Sequence, residues 1–211
     1  MSVTAIDVLL DPDWVMVEKA SVANAALRAS YPAGFALDDS HAPHITVLQR
    51  FVRTADLDEV GASVAEVFSE TRPATLELEA SGYYYLPWQD LGLAGIAIVP
   101  TGALLGLQQS IIDAVRPFTV STGGREALFG APDTPTVAPT IAYVESFVPN
   151  ASGPNYNPHV TVGLGHKDDL DQLVADPFVR FAFRAESASI YQLGDLGTAQ
   201  VQLWSSAGFR P

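Results

Sequence analysis

Cysteine is absent from the 211 residues. That excludes a disulfide framework, thiolate metal sites and a cysteine nucleophile, and it leaves the compartment open, because a chain without thiols folds on either side of a membrane. Basic residues are scarce: 11 Lys and Arg against 24 Asp and Glu give a formal net charge of −13. A field of that sign repels polyanions, so large RNA or DNA is disfavoured as a partner, whereas a local pocket can still accept one small phosphate ester. Low-complexity blocks are missing too. The 15 Pro and 16 Gly are spread between periodic segments, and 48% of the residues are apolar, which points to a folded core. The one long charge-free stretch, residues 91–112, is broken by Pro100, Thr101 and Gly102 and carries Gln108, Gln109 and Ser110, so it reads as strand, turn and helix rather than a membrane span. Residues 1–10 contain Asp7 and lack the basic and apolar regions of a signal peptide, so a cytoplasmic location is expected.

The periodicity predicts alternating strands and helices. Residues 3–10 read as a strand, and Asp11-Pro12 as N-cap and first position of a helix running to about Ser30. A β-branched run over 44–52 predicts a strand, and Leu57, Val60, Val64, Val67 and Phe68 a helix that Arg72-Pro73 stops. Strands near 75–86 and 93–99 and a helix over 103–115 follow. Residues 117–158 are the least regular part, with strand candidates at 118–120 and 141–147. Beyond them come a strand at 159–164, a helix near 168–175, and strands near 180–193 and 199–205.

The chain has four histidines, and two share a setting: Pro43-His44-Ile45-Thr46-Val47 and Pro158-His159-Val160-Thr161-Val162. A helix opened by Asp-Leu-Asp and two strands follow each. LEASGYYYL (78–86) also aligns with AESASIYQL (185–193), which indicates an internal duplication. The expected fold is α+β, one domain over residues 1–211 built of two pseudo-symmetric lobes, with a long insert at about 117–157. On a strand, residues i and i+2 share a face, so each motif presents an imidazole and a hydroxyl together while Ile45, Val47, Val160 and Val162 face the core. Two such strands across a groove suit displacement at phosphorus. One neutral imidazole takes a proton from water and the other, protonated, delivers one to the leaving oxygen, while the threonines donate to non-bridging oxygens. A lone strand histidine is ordinarily a core residue, and Thr46 and Thr161 are also good strand formers; the repetition is what argues for chemistry.

The paired His-x-Thr-x motifs in a duplicated chain resemble the 2H phosphoesterases, which include 2′-5′ RNA ligase-like proteins and cyclic nucleotide phosphodiesterases. The resemblance covers nearly the whole chain. It implies antiparallel-sheet lobes with outer helices around a central groove, hydrolysis of small 2′,3′-cyclic or 2′-5′-linked nucleotide phosphates, and catalytic roles for His44, Thr46, His159 and Thr161. The reaction needs neither metal nor cofactor. His41 and His44 form a His-x-x-His pair without a supporting ligand cluster, so His41 reads as a loop residue and His166 as solvent-exposed. Among the aromatics Tyr83, Tyr84, Tyr85 and Trp88, alternate members are expected in the core, with Tyr85 or Trp88, and similarly Tyr156, as candidates to stack on a base. Arg125, after Gly123-Gly124, is a candidate phosphate contact from a mobile loop.

Overall fold

The computed structural model describes residues 2–38, 41–72, 75–88, 90–131 and 135–208. Its strands are β1 (Val3–Pro12), β2 (Ile45–Arg53), β3 (Glu77–Trp88), β4 (Leu91–Ile98), β5 (His159–His166), β6 (Phe181–Leu193) and β7 (Ala199–Ser205). The helices among the described residues are α1 (Trp14–Ser30), α2 (Leu57–Thr71), α3 (Gly102–Val115), α4 (Val137–Asn150) and α5 (Lys167–Ala175). All strand pairings are antiparallel, in the order β2-β1-β6-β3-β4-β5, with β7 added to β6.

That order has its own symmetry. The chain runs β1-α1-β2-α2-β3 and then β4-α3, the insert, β5-α5-β6, so exchanging the halves maps β2-β1-β6 onto β5-β4-β3. Each half gives its third strand to the other's sheet, since β6 pairs with β1 and β3 with β4. The outermost strands β2 and β5 nevertheless touch, so the sheet bends until its two edges meet.

One face of each strand is apolar and packs on the helices. Ile6, Val8, Leu10, Ile45, Val47, Val160, Val162 and Ile190 meet Met16, Ala20 and Leu27 of α1, Val60 and Val64 of α2, Leu104 and Ile111 of α3, and Leu170 of α5. Fully burying each such side chain contributes about 1.5–3 kcal/mol, which fixes strand register against a one-residue slip. The opposite face, which lines the groove, is polar near its middle and carries Asp7, Thr46, Gln49 and Ser189.

Three expected elements differ. Helix α1 starts two residues later than read: Pro12 ends β1, and Asp13 is the N-cap, accepting from the Met16 amide at 3.3 Å. Asp11 instead accepts from Ser187 and Ser189. The strand candidate at 141–147 is a correction. It lies inside α4, whose buried Val137, Thr140, Val144 and Phe147 recur at helical spacing although β-branched and aromatic content imitates a strand. The segment 118–120 forms only a bridge, Val52 with Thr119. Arg72 does end α2, in a left-handed conformation, while Pro73 lies outside the described residues. No helix among the described residues is long and apolar enough to cross a membrane.

Candidate active site

The two motifs are built alike. In each, the residue after threonine is an extra residue in its ladder: β1 pairs Leu9 with Thr46 and Val8 with Leu48, skipping Val47, and β4 pairs Gly95 with Thr161 and Ala94 with Gly163, skipping Val162. A bulge kinks its strand and leaves a backbone group outside the ladder. Here a buried helix amide meets each orphan carbonyl. Asn24 of α1 donates to Val162 O at 2.8 Å, and Gln108 of α3 donates to Val47 O at 3.2 Å. The donors occupy corresponding helices of the two halves, and each serves the other half's motif.

The histidines are anchored alike as well. His44 Nδ1 lies 2.8 Å from Ala42 O, and His159 Nδ1 lies 2.8 Å from Asn157 O. A carbonyl only accepts, so Nδ1 carries the proton in both rings and Nε2 is left to take or give one. The intervening Pro43 and Pro158 hold the preceding residue extended, which explains a proline before each histidine. Both rings are half-buried, and the charge of His44 reaches His159. Burial first, and then that charge, lower the His159 pKa against the raising bond to Asn157.

The threonines differ. Thr46 Oγ1 donates to Asp7 Oδ2 at 3.0 Å, as does Gln49 Nε2, also at 3.0 Å. Asp7 is fully buried and its other oxygen, Oδ1, has no partner among the described residues. Burial pushes its pKa up to about 6, against lowering by His44, Gln49 and Thr46. Thr161 sits opposite Gly95 and makes no side-chain hydrogen bond among the described residues, so its hydroxyl is free to meet a ligand.

The aromatic residue beside the second motif is Tyr84. A bulge between Ala80 and Gly82 sets the parity of β3, so Tyr84 lies over Gly95 on the groove face and meets the His159 ring edge-on at 5.3 Å. A Cβ on Gly95 would stand 2.7 Å from the Tyr84 ring, so only glycine lets the ring lie there. Tyr85 faces the other way, toward α5, with its hydroxyl bound to Asp171 at 2.6 Å. Trp88 shares the Tyr84 face but stands four residues further along β3, 49% exposed at its end.

Tyr156 is 7% exposed, and its hydroxyl donates to Thr46 O at 2.8 Å. Its ring therefore offers no stacking face and braces the first motif instead. Arg125 is exposed on a turn (Arg125–Ala127) whose Ala127 packs with Ala5, Phe51 and Leu193, toward the strand ends away from Thr46. It is not brought to the motifs. His41 stacks on Phe35 in the loop before β2, and His166 is exposed at the end of β5. Among the described residues no group of three or more His, Asp or Glu side chains is set to hold a metal ion.

The insert brings one residue that the sequence did not single out. Helix α4 packs Val144 and Val137 on Phe51 and Ala5, and its first turn is tied down by Asp195, which accepts from Thr136 at 2.5 Å. This places Tyr143, 49% exposed, within electrostatic reach of Asp7 and Tyr84. Its helical setting was hidden because residues 141–147 resemble a strand.

The chain shares its fold with the Thermus thermophilus protein TT0787, at a TM-score of 0.55 and 14% identity over 96% of each chain. Escherichia coli LigT in its apo form matches at a TM-score of 0.45 and 12% identity over 97% of each chain. Usb1 of Kluyveromyces marxianus with uridine monophosphate matches at 0.42 and 12%, over 95% of this chain and 97% of that one. No curated protein matches the sequence significantly. The model of the 2′-5′ RNA ligase superfamily matches residues 16–191, a span that includes both histidine motifs, and the chain therefore belongs to that superfamily of 2H phosphoesterases.

Proposed function

We propose that this chain is a phosphodiesterase that hydrolyses a small nucleotide phosphate, 2′,3′-cyclic or 2′-5′-linked, with His44 and His159 as its acid/base pair. The observation that carries the reading is the matched anchoring of the two Nδ1 atoms, which leaves two Nε2 atoms for one phosphate. One imidazole acts as the base, a role that burial favours for His159 by lowering its pKa: Nε2 takes a proton from water as the water oxygen bonds to phosphorus. The phosphorus–oxygen ester bond breaks, and His44 Nε2–H protonates the departing oxygen. The product is a monoester beside a free hydroxyl, and proton exchange with solvent resets the pair. Thr161 donates to a non-bridging oxygen, a bond worth most where the site is dry.

The reading treats residues 1–211 as one domain whose insert at 117–157 lends α4 to the groove. The net charge of −13 disfavours a long RNA substrate. The test is a screen of 2′,3′-cyclic, 3′,5′-cyclic and 2′-5′-linked nucleotides with product identification, run with excess chelator. Hydrolysis of a 2′,3′-cyclic or 2′-5′ substrate is expected and should survive the chelator. Absence of turnover on every class, or activity that a divalent ion must restore, would overturn the reading.

A further inference from the structure

Among the described residues, the strand rows around the histidines lack the cations that phosphate sites ordinarily use. The cross-strand rows that include Thr46 and Thr161 hold Leu9 and Ser189 on one side and Gly95 and Tyr84 on the other. The row of His159 adds Ala97 and Gly82. Lysine and arginine are missing from all of them. Arg53 and Arg184 lie toward the ends of this face and are ion-paired with Asp56 and Glu77. What the groove offers is neutral donors. Thr161 has a free hydroxyl, and the hydroxyls of Tyr84 and Tyr143 likewise have no hydrogen-bond partner among the described residues. The carboxylate set against the first motif is Asp7, whose unpartnered Oδ1 is buried.

We infer that Thr161, Tyr84 and the insert's Tyr143 form a cation-free cradle that selects a singly charged phosphodiester, and that Asp7 makes it reject the doubly charged monoester. The inference rests on the phosphodiesterase reading above and deepens it to a substrate charge class and a route for product release. A diester carries one negative charge and meets one imidazolium plus neutral hydroxyls. A monoester carries a second charge above its second pKa of about 6, and no further cation among the described residues of these rows answers it. Ionised Asp7 opposes that charge. Desolvating an unpaired charge is expensive, so the product is expelled and the substrate kept. The groups facing Asp7 are His44, Thr46 and Gln49 from the β2 side, Tyr191 across on β6, Tyr143 from α4, Tyr156 before β5, and Asp11 next along β1. Of these only His44 is a potential cation.

The test uses the whole chain and equilibrium binding, so it is independent of turnover. The probes are the 3′-methylphosphates of the four ribonucleosides, which are diesters, and the matching 3′-monophosphates. At about pH 7.5 the tightest methylphosphate should bind at least tenfold better than its monophosphate, and the gap should close near pH 5, where the monophosphate bears a single charge. Asp7→Asn should tighten monophosphate binding at the higher pH by about tenfold more than it tightens methylphosphate binding. Tyr84→Phe and Tyr143→Phe should each weaken methylphosphate binding by about tenfold, with thermal melting as the control for folding. Equal binding of the two probes at the higher pH, no binding of either, or an unchanged methylphosphate affinity in Tyr143→Phe would overturn the cradle. Selective binding without hydrolysis of any nucleotide would sink the phosphodiesterase reading and leave the cradle standing.

Discussion

Thr46 gives its hydroxyl proton to Asp7 at 3.0 Å, and this one bond separates two motifs that are otherwise built alike. In the other half Gly95 stands opposite Thr161 as Leu9 does opposite Thr46, and the position of Asp7 is taken by Leu93, which has no carboxylate to capture the hydroxyl. Replacing Thr161 with valine should lower kcat/KM by about tenfold to a hundredfold across the pH range, the worth of a hydrogen bond to a charged oxygen. Thr46→Val should cost less at high pH, where ionised Asp7 holds the hydroxyl. Its cost should grow as pH falls through about 6, because a neutral carboxyl holds the Thr46 hydroxyl less strongly than a carboxylate does. Profiles of kcat/KM against pH for the two variants check this; parallel profiles would contradict it.

Asp7 also sets a stability trend whose sign follows from its environment. Its folded pKa of about 6 lies above the ordinary 3.8, so the buried group contributes fully below the ordinary value and that contribution is lost as pH rises through about 6. The loss is on the order of 3 kcal/mol. Asp7→Asn removes the ionisation, and its melting temperature should exceed the native one by several degrees at about pH 8 and match it at about pH 4. Melting curves at both values check this, and an Asp7→Asn chain less stable than the native one at the higher pH would contradict it.

The two buried amides bear on the site through the backbone. Asn24→Leu and Gln108→Leu each remove the partner of a motif carbonyl, leaving Val162 O or Val47 O unsatisfied. Each should cost about 1–3 kcal/mol in urea unfolding, more than a surface change. Each should also lower kcat more than it raises KM, because the bulge that aims the neighbouring threonine loses its support. Equal, small effects on both constants would assign the amides to packing alone.

Much of this was legible in the sequence because it rests on short-range pattern. Apolar periodicity marked the main strands and helices other than α4, and the repeated Pro-His-x-Thr-Val placed the motifs on equivalent strands. What could not be read depends on register. The bulges at Val47, Val162 and Ser81 each shift a strand's parity by one residue, which is why Tyr84 rather than Tyr85 faces the groove. Asp7 looked like one polar residue in an apolar strand, since only β2 and β6 on either side reveal that it is buried beneath Thr46. Tyr143 was hidden inside residues 141–147, whose composition suits a strand and whose burial pattern is helical.

That His44 and His159 act on one phosphate as a unit is tested most directly by single-turnover kinetics of His44→Ala, His159→Ala and the double variant. Each single change should lower kcat by about a hundredfold to ten-thousandfold with little change in binding, and the double variant should be hardly worse than the poorer single one. Near-native turnover in both single variants on the best substrate, or losses that multiply as if the two groups were independent, would contradict it.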